Sequence, residues 1–168
     1  MNVKDIKGEV MASSAYLDGK QIGVNLTMTL PGITPSTVEI VAAGGTIELP
    51  VYSKLEAMEA SITLQGIHGD VIKKLTPERH NLTVNIVQHS VGADKSKHEH
   101  IKAHLEVVPK EMPGIESTFG EQTETELPLS VLSYKLIVDG KVVLHVDPIK
   151  AIYKVNGKNY AKDYTSKI

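Results

Sequence analysis

Residues Tyr134 to Tyr160 read YKLIVDGKVVLHVDPIKAIYKVNGKNY, and this stretch decides the fold class. Asp139-Gly140 and Asn156-Gly157 each stand between runs in which apolar and polar residues alternate. A two-residue hairpin of type I′ needs positive φ at both central positions, and Asp-Gly and Asn-Gly tolerate that best. The stretch therefore predicts strand, turn, strand, a break at Asp147-Pro148, a further strand, a second turn and a tail.

Outward from there, alternation with period two dominates, the pattern of strands with one buried face. Gly23 to Leu30 sets Val24, Leu26, Met28 and Leu30 against Asn25, Thr27 and Thr29. Leu55 to Gln65 sets Met58, Ala60, Ile62 and Leu64 against Glu59, Ser61, Thr63 and Gln65. Asn81 to Val87 opposes Leu82, Val84 and Ile86 to Asn81, Thr83 and Asn85; His100 to Val107 opposes Ile101, Ala103, Leu105 and Val107 to His100, Lys102, His104 and Glu106. A long strand is predicted from Glu124 to Val138. It crosses Pro128, whose missing N–H predicts an edge or a bulge there. One short helix is predicted from Gly69 to Leu75, stopping before Thr76-Pro77. Asp70 in its first turn and Lys73 and Lys74 near its end suit the helix dipole. Val71, Ile72 and Leu75 form its buried stripe, and it is expected to cover one opening of the β-structure. The fold class is mainly β: an antiparallel β-sandwich or partial barrel with a long N-terminal hairpin and one short α-helix, in one domain spanning 1–168.

Composition limits function. The chain has 168 residues, 41% hydrophobic and 23% charged, an ordinary balance for a soluble domain with a real core. A formal charge of −2 gives no reason to expect a protein that works by neutralising phosphates. No apolar run is long enough to span a membrane, and the start, MNVKDIKGEV, lacks a secretory signal, so cytoplasmic synthesis is expected. The sequons at Asn25 and Asn81 are then without consequence. Cysteine is absent, which removes disulfides, thiol nucleophiles and cysteine metal sites. There is no Trp, one Phe (Phe119) and six Tyr, few rings for stacking bases or sugars.

Two segments depart from the strand pattern. Thr37 to Tyr52, TVEIVAAGGTIELPVY, holds two apolar arms around Gly44-Gly45, a pair suited to a hairpin turn, while Pro50 places its arm at an edge. Two accounts fit the arms: an ordinary core hairpin, or an extended hairpin whose apolar face is covered by another copy of the chain. Val108 to Gly120, VPKEMPGIESTFG, carries two prolines and two glycines and reads as a surface connection ordered by its neighbours.

Candidate chemistry is sparse. His98, His100 and His104 have one parity and would project from one strand face, yet Lys102 sits among them and Lys95 to His98 is basic and loop-like. An imidazole pair at i and i+2 can ligate zinc or iron but usually needs a third protein ligand and an oriented second shell, and the charge of Lys102 opposes a cation, so a solvated polar face is the better account. His68, His80, His89 and His145 form no constellation. Ser13, Ser14, Ser130 and Ser133 lie in no Gly-x-Ser-x-Gly elbow. Gly44-Gly45 precedes neither a phosphate loop nor a dinucleotide fingerprint. No catalytic residue, metal or cofactor is assigned.

The wording of the C-terminal stretch resembles the major tail tube proteins of contractile-tailed phages and R-type bacteriocins. The lead-in Glu121-Gln122-Thr123-Glu124-Thr125-Glu126, the long strand, Asp139-Gly140-Lys141, the break at Asp147 and the strand ending Val155-Asn156-Gly157 stand in that family's order. The likeness is best over 121–159 and weaker over 23–67. It implies a structural subunit, not an enzyme. It implies hexameric rings joined into a continuous inner β-barrel and stacked into a tube. The implied partners are a tail sheath, a tape-measure protein, and baseplate and tail terminator proteins. DNA would pass transiently without specific binding, and no stable membrane association is implied. The place implied is a virion tail or bacteriocin particle assembled in the bacterial host cytoplasm. Subunit and ring contacts then fall on Val38, Ile40, Val41, Gly44, Gly45, Ile47, Leu49 and Val51. The lumen falls on Glu59, Ser61, Thr63 and Gln65, since polar or anionic walls let DNA slide. The alternatives are a type VI secretion tube protein of the same fold and a monomeric β-sandwich module binding sugars or a peptide. A metal-dependent enzyme using the three histidines ranks last.

Overall fold

The computed structural model describes residues 6–66, 68–92 and 96–161. The ends of the predicted 1–168 domain and Lys95 lie outside the described residues. The strands are β1 (Ile6–Leu17), β2 (Lys20–Val24), β3 (Thr27–Thr29), β4 (Pro35–Ala42), β5 (Gly45–Leu55) and β6 (Met58–Gln65), then helix α1 (Gly69–Ile72). After it come β7 (His80–Val91), β8 (Ser96–Pro109), β9 (Glu124–Val138), β10 (Lys141–Asp147), β11 (Ile152–Val155) and β12 (Lys158–Asn159). The fold is mainly β, and all strand pairs are antiparallel.

The two Gly-containing turns form as type I′ hairpins. Asp139 and Gly140 take φ of 48° and 79°, and Asn156 and Gly157 take 50° and 85°. A third turn of this kind, Asp18-Gly19 with φ of 49° and 79°, closes β1 onto β2. Sequence reasoning passed over it, although Leu17-Asp18-Gly19-Lys20 repeats the wording of Val138-Asp139-Gly140-Lys141.

Ten strands form one sheet along the path β12-β11-β10-β9-β8-β7-β1-β2, with β6 on the other half of β9 and β3 on β6. The sheet curls around one core. Met58, Ala60, Ile62 and Leu64 of β6 meet Leu82, Val84, Ala103, Leu105 and Val107 of β7 and β8, with Tyr134 and Val146 closing the cluster. The barrel is partial: β2 and β3 are consecutive but unpaired, so a seam runs between them and the monomer does not close.

That seam corrects the expected strand from Gly23 to Leu30. The chain breaks at Asn25, which takes φ 52°, and moves from the β1 side to the β6 side. Leu26, Met28 and Leu30 still pack on the core, but Val24 falls before the break and is 59% exposed.

β9 runs over the predicted span. Pro128 sits where β8 ends alongside it: its carbonyl accepts from Lys110 N–H at 3.1 Å, and a strand residue's N and O point the same way, so the missing donor also faces the place where pairing stops. The bulge lies further on. Glu106 pairs with Ser133 and Val107 with Val131, leaving Leu132 as the extra residue. An extra residue shifts the period by one. Thr125, Leu127, Leu129 and Val131 are buried before it, and Tyr134 after it.

The helix is shorter than predicted, one turn from Gly69 to Ile72. The i→i+3 bonds Lys74 N–H to Val71 and Leu75 N–H to Ile72 then tighten the chain before Pro77. Val71 and Leu75 join the core, and Ile72 is half-buried. Val108 and Pro109, expected in a connection, complete β8 opposite Ser130 and Leu129; residues 110–120 carry no strand.

Candidate functional site: the hairpin and the two outer faces

β4 and β5 form a two-stranded sheet of their own, joined to the rest mainly at its base, where Tyr52 packs on Tyr153 with ring centroids 4.9 Å apart. The tip differs from the Gly44-Gly45 turn expected: Ala42 pairs with Gly45, so Ala43-Gly44 forms the loop, and Gly45 takes φ 145°, a value suited to glycine.

Register sorts the hairpin into two unlike faces. Val38 lies opposite Leu49 and Ile40 opposite Ile47. These four apolar side chains share one face and are 49%, 47%, 46% and 49% exposed respectively. Val51, opposite Ser36 on that face, is half-buried. Val41 belongs to the other face, opposite Thr46, beside Glu39 and Glu48, which oppose each other directly. Like charges set opposite across a ladder destabilise it, and neither glutamate has an ion pair among the described residues.

The residues assigned to a lumen form one outer face of the curled sheet. Glu59, Ser61, Thr63 and Gln65 point away from the buried side of β6. Register adds neighbours that sequence reasoning did not place there: Gln65 pairs with Glu124, Thr63 with Glu126, Glu59 with Ser130, and Thr27 and Thr29 with Thr63 and Ser61. Gln122 Nε2 donates to Gln65 Oε1 at 2.8 Å, and Lys110 pairs with Glu59. Glu124 and Glu126 have no ion pair among the described residues.

The other outer face is basic. Thr83, His104, Lys135, His145 and Lys154 follow one another across β7, β8, β9, β10 and β11. Lys102 stands beside His104 on the same face. Partial burial, then Lys102 and Lys135, hold His104 below the usual histidine range. Partial burial, then Lys135 and Lys154, do the same to His145, with Asp147 opposing and Lys150 adding to the effect.

His98 and His100 share the outward side of β8 with His104, as parity predicts. His98 pairs with His89, ring centroids 5.6 Å apart, and His104 Nδ1 lies 3.3 Å from Thr83 Oγ1. Among the described residues no group of three or more His, Cys, Asp or Glu is placed to hold a metal.

His80, isolated in sequence, is buried and clamps the Asp18-Gly19 turn. Its Nδ1–H donates to Asp18 Oδ2 at 2.6 Å and its Nε2–H to the Thr76 carbonyl at 2.9 Å. The Thr76 hydroxyl also lies 3.2 Å from Nε2. The Asp18 carboxylate holds His80 above its ordinary value, and His80 with the Asn81 N–H holds Asp18 below its own.

The described residues thus form a partial β-barrel with a projecting two-stranded hairpin and polar and charged outer faces. The phage tail tube protein FII family model matches residues 9–168, and the chain belongs to that family, a structural one. The major tail tube protein of Serratia phage KSP20 is 26% identical over 151 residues, covering 88% of this chain and 87% of the relative. A chain in the sheath–tube complex of an extracellular contractile injection system in its extended state superposes with a TM-score of 0.54 at 12% identity. It covers 77% of this chain and 90% of its own, and shows the shared fold.

Proposed function

We propose that this chain is the single-domain subunit of the inner tube of a contractile injection tail. Hexameric rings close through the free strand edges and stack through the β4–β5 hairpins into a hollow tube. The tube lies inside a sheath, holds the tape-measure protein, and ends on baseplate and terminator proteins. It conducts DNA without binding it, or punctures a target where the particle carries no genome. The subunit is made in the host cytoplasm, resides in the tail, and has no stable hold on a membrane.

The observation that carries this reading is the hairpin's apolar face. Val38, Ile40, Ile47 and Leu49 stand half exposed in a ladder that no other strand among the described residues covers. Such a patch marks an interface. Head-to-tail contacts that close give rings, and contacts that do not close give an open stack. The Glu59-to-Gln65 face, with Glu124 and Glu126, supplies a bore whose charge repels phosphate.

Negative-stain microscopy of the purified chain tests this. Rings or tubes are expected. A chain that remains monomeric at high concentration and in the presence of its tail partners overturns the proposal.

A further inference from the structure

We propose that Tyr52 and Tyr153 are a positioning pair for assembly. Their contact latches the β4–β5 hairpin at one angle to the body, across a hinge at Tyr52–Lys54, so that the apolar face meets another copy already aimed. This rests on the tube reading above.

The hinge follows from register. At the base the hairpin is anchored: Pro35 pairs with Leu55, Glu56 N–H donates to the Thr34 carbonyl at 2.8 Å, and Ile33 and Leu55 pack on the core. Further out, an unbroken ladder runs from Ser36–Val51 to Ala42–Gly45. Between these two parts Tyr52, Ser53 and Lys54 face no residue of β4. Extra residues on one strand bend it, and a few such positions can absorb the dihedral change of a swing. The outer ladder is an arm about 20 Å long at about 3.3 Å per residue. A tilt of about 10° at its base carries the tip about 3.5 Å sideways, enough to take apolar side chains out of contact with a partner.

The two tyrosines stand on either side of that hinge. Tyr153 is a fixed seat: it pairs with the fully buried Val146, and its ring packs against the core. Its N–H donates to Asn159 Oδ1 at 3.1 Å, and its carbonyl accepts from Tyr160 N–H at 2.8 Å. Tyr52 rides on the hinge and is 38% exposed. The rings meet at 4.9 Å between centroids with their planes 45° apart, a favourable tilted arrangement. The contact therefore ties an arm that could swing to a part that cannot.

An arm held in advance spares the orientational entropy that a loose one loses on docking. One aromatic pair favours the held direction by about three- to tenfold, which sets the aim and still lets the arm settle against its partner.

The experiment reads the arm's angle and assembly separately, in the full chain. Cysteine is absent, so Ala43→Cys with Lys141→Cys, both at exposed positions, take nitroxide labels at the tip and on the body alone. Electron–electron resonance on dilute, unassembled chain is expected to give a narrow distance distribution in the parent and with Tyr52→Phe, and a broad one with Tyr52→Ala. Tyr153→Leu, which keeps an apolar seat, should broaden it too, and adding it to Tyr52→Ala should broaden it no further. In unlabelled chains followed by light scattering, Tyr52→Ala is expected to slow assembly by about three- to tenfold at an unchanged melting temperature, and Tyr52→Phe to hold the wild-type rate. An unchanged distribution in Tyr52→Ala overturns the latch, as do additive effects of the two substitutions. A broadened arm with undiminished assembly overturns its positioning role. If the wild-type chain forms no ring or tube, the tube reading fails by itself, and the distance distributions still decide the latch.

Discussion

The β4–β5 hairpin and strand β6 carry one local pattern and meet opposite fates. In β6, Met58, Ala60, Ile62 and Leu64 alternate with polar residues and are buried. In the hairpin, Val38, Ile40, Ile47 and Leu49 stand on one face in the same rhythm, and each remains about half exposed. The difference is not composition but what lies across from each face. β6 looks onto β7 and β8, whereas the hairpin leaves the body at Tyr52 and its apolar face stays half exposed among the described residues. Alternation identifies a face that wants covering and is silent on whether the cover is internal.

Removing the hairpin breaks the comparison hardest. Replacing residues 36–50 with a short Gly-Ser loop should abolish rings and tubes in electron micrographs while the monomer keeps a cooperative melt. Tubes formed by that variant would falsify the assignment of assembly to the hairpin. A paired truncation comes next. Ile62→Ala should cost about 2–5 kcal/mol in denaturant unfolding of the monomer, as a filled core position does. Ile40→Ala should change it by no more than about 0.5 kcal/mol yet suppress assembly. Equal losses at the two sites would show that the hairpin packs within its own chain.

The Asp18-Gly19 turn sharpens the contrast from the other side, because this hairpin is pinned within its own chain. His80→Gln should lower stability by about 1–3 kcal/mol, since a buried bond to a charged partner is lost. His80 is raised above 6.5, so its contribution is complete below that pH and disappears as pH rises through its folded value. Asp18 is lowered below 3.8, so its contribution is present above that pH and fades as pH falls through its folded value. The wild-type melting temperature should carry both slopes, and His80→Gln should flatten the upper one. A melting profile identical in the two proteins would remove the clamp from the account. The smallest effect belongs to Glu39→Gln, which should stabilise the isolated hairpin by about 0.2–1 kcal/mol by removing repulsion from Glu48. Destabilisation there would mean that a cation within the chain already answers the pair.

Much of the fold was legible because tight turns and one-sided burial act locally. Asp139-Gly140 and Asn156-Gly157 specify their dihedrals almost unaided, and β9 ran over its predicted residues despite Pro128. What was not legible depends on distant partners. The break at Asn25 exists because β2 and β3 belong to opposite sides of the seam, a fact no window of residues contains. The bulge at Leu132 is set by its register against β8. Four positions of the acidic face, Glu59, Ser61, Thr63 and Gln65, could be chosen from parity, but Glu124 and Glu126 join them only once β9 is paired with β6. Sequence likewise scattered His104 and His145, which cross-strand pairing sets on either side of Lys135.

β9 belongs to both halves of the wall, pairing with β6 along its first eight residues and with β8 along its last. Peeling either half away means breaking main-chain bonds on a strand the other half also holds. Amide exchange along β9 should therefore be slow and even, with the ten-stranded sheet opening as a single unit. A tube built as proposed from such pieces should resist kinking under thrust, because one strand ties both parts of each subunit's sheet together.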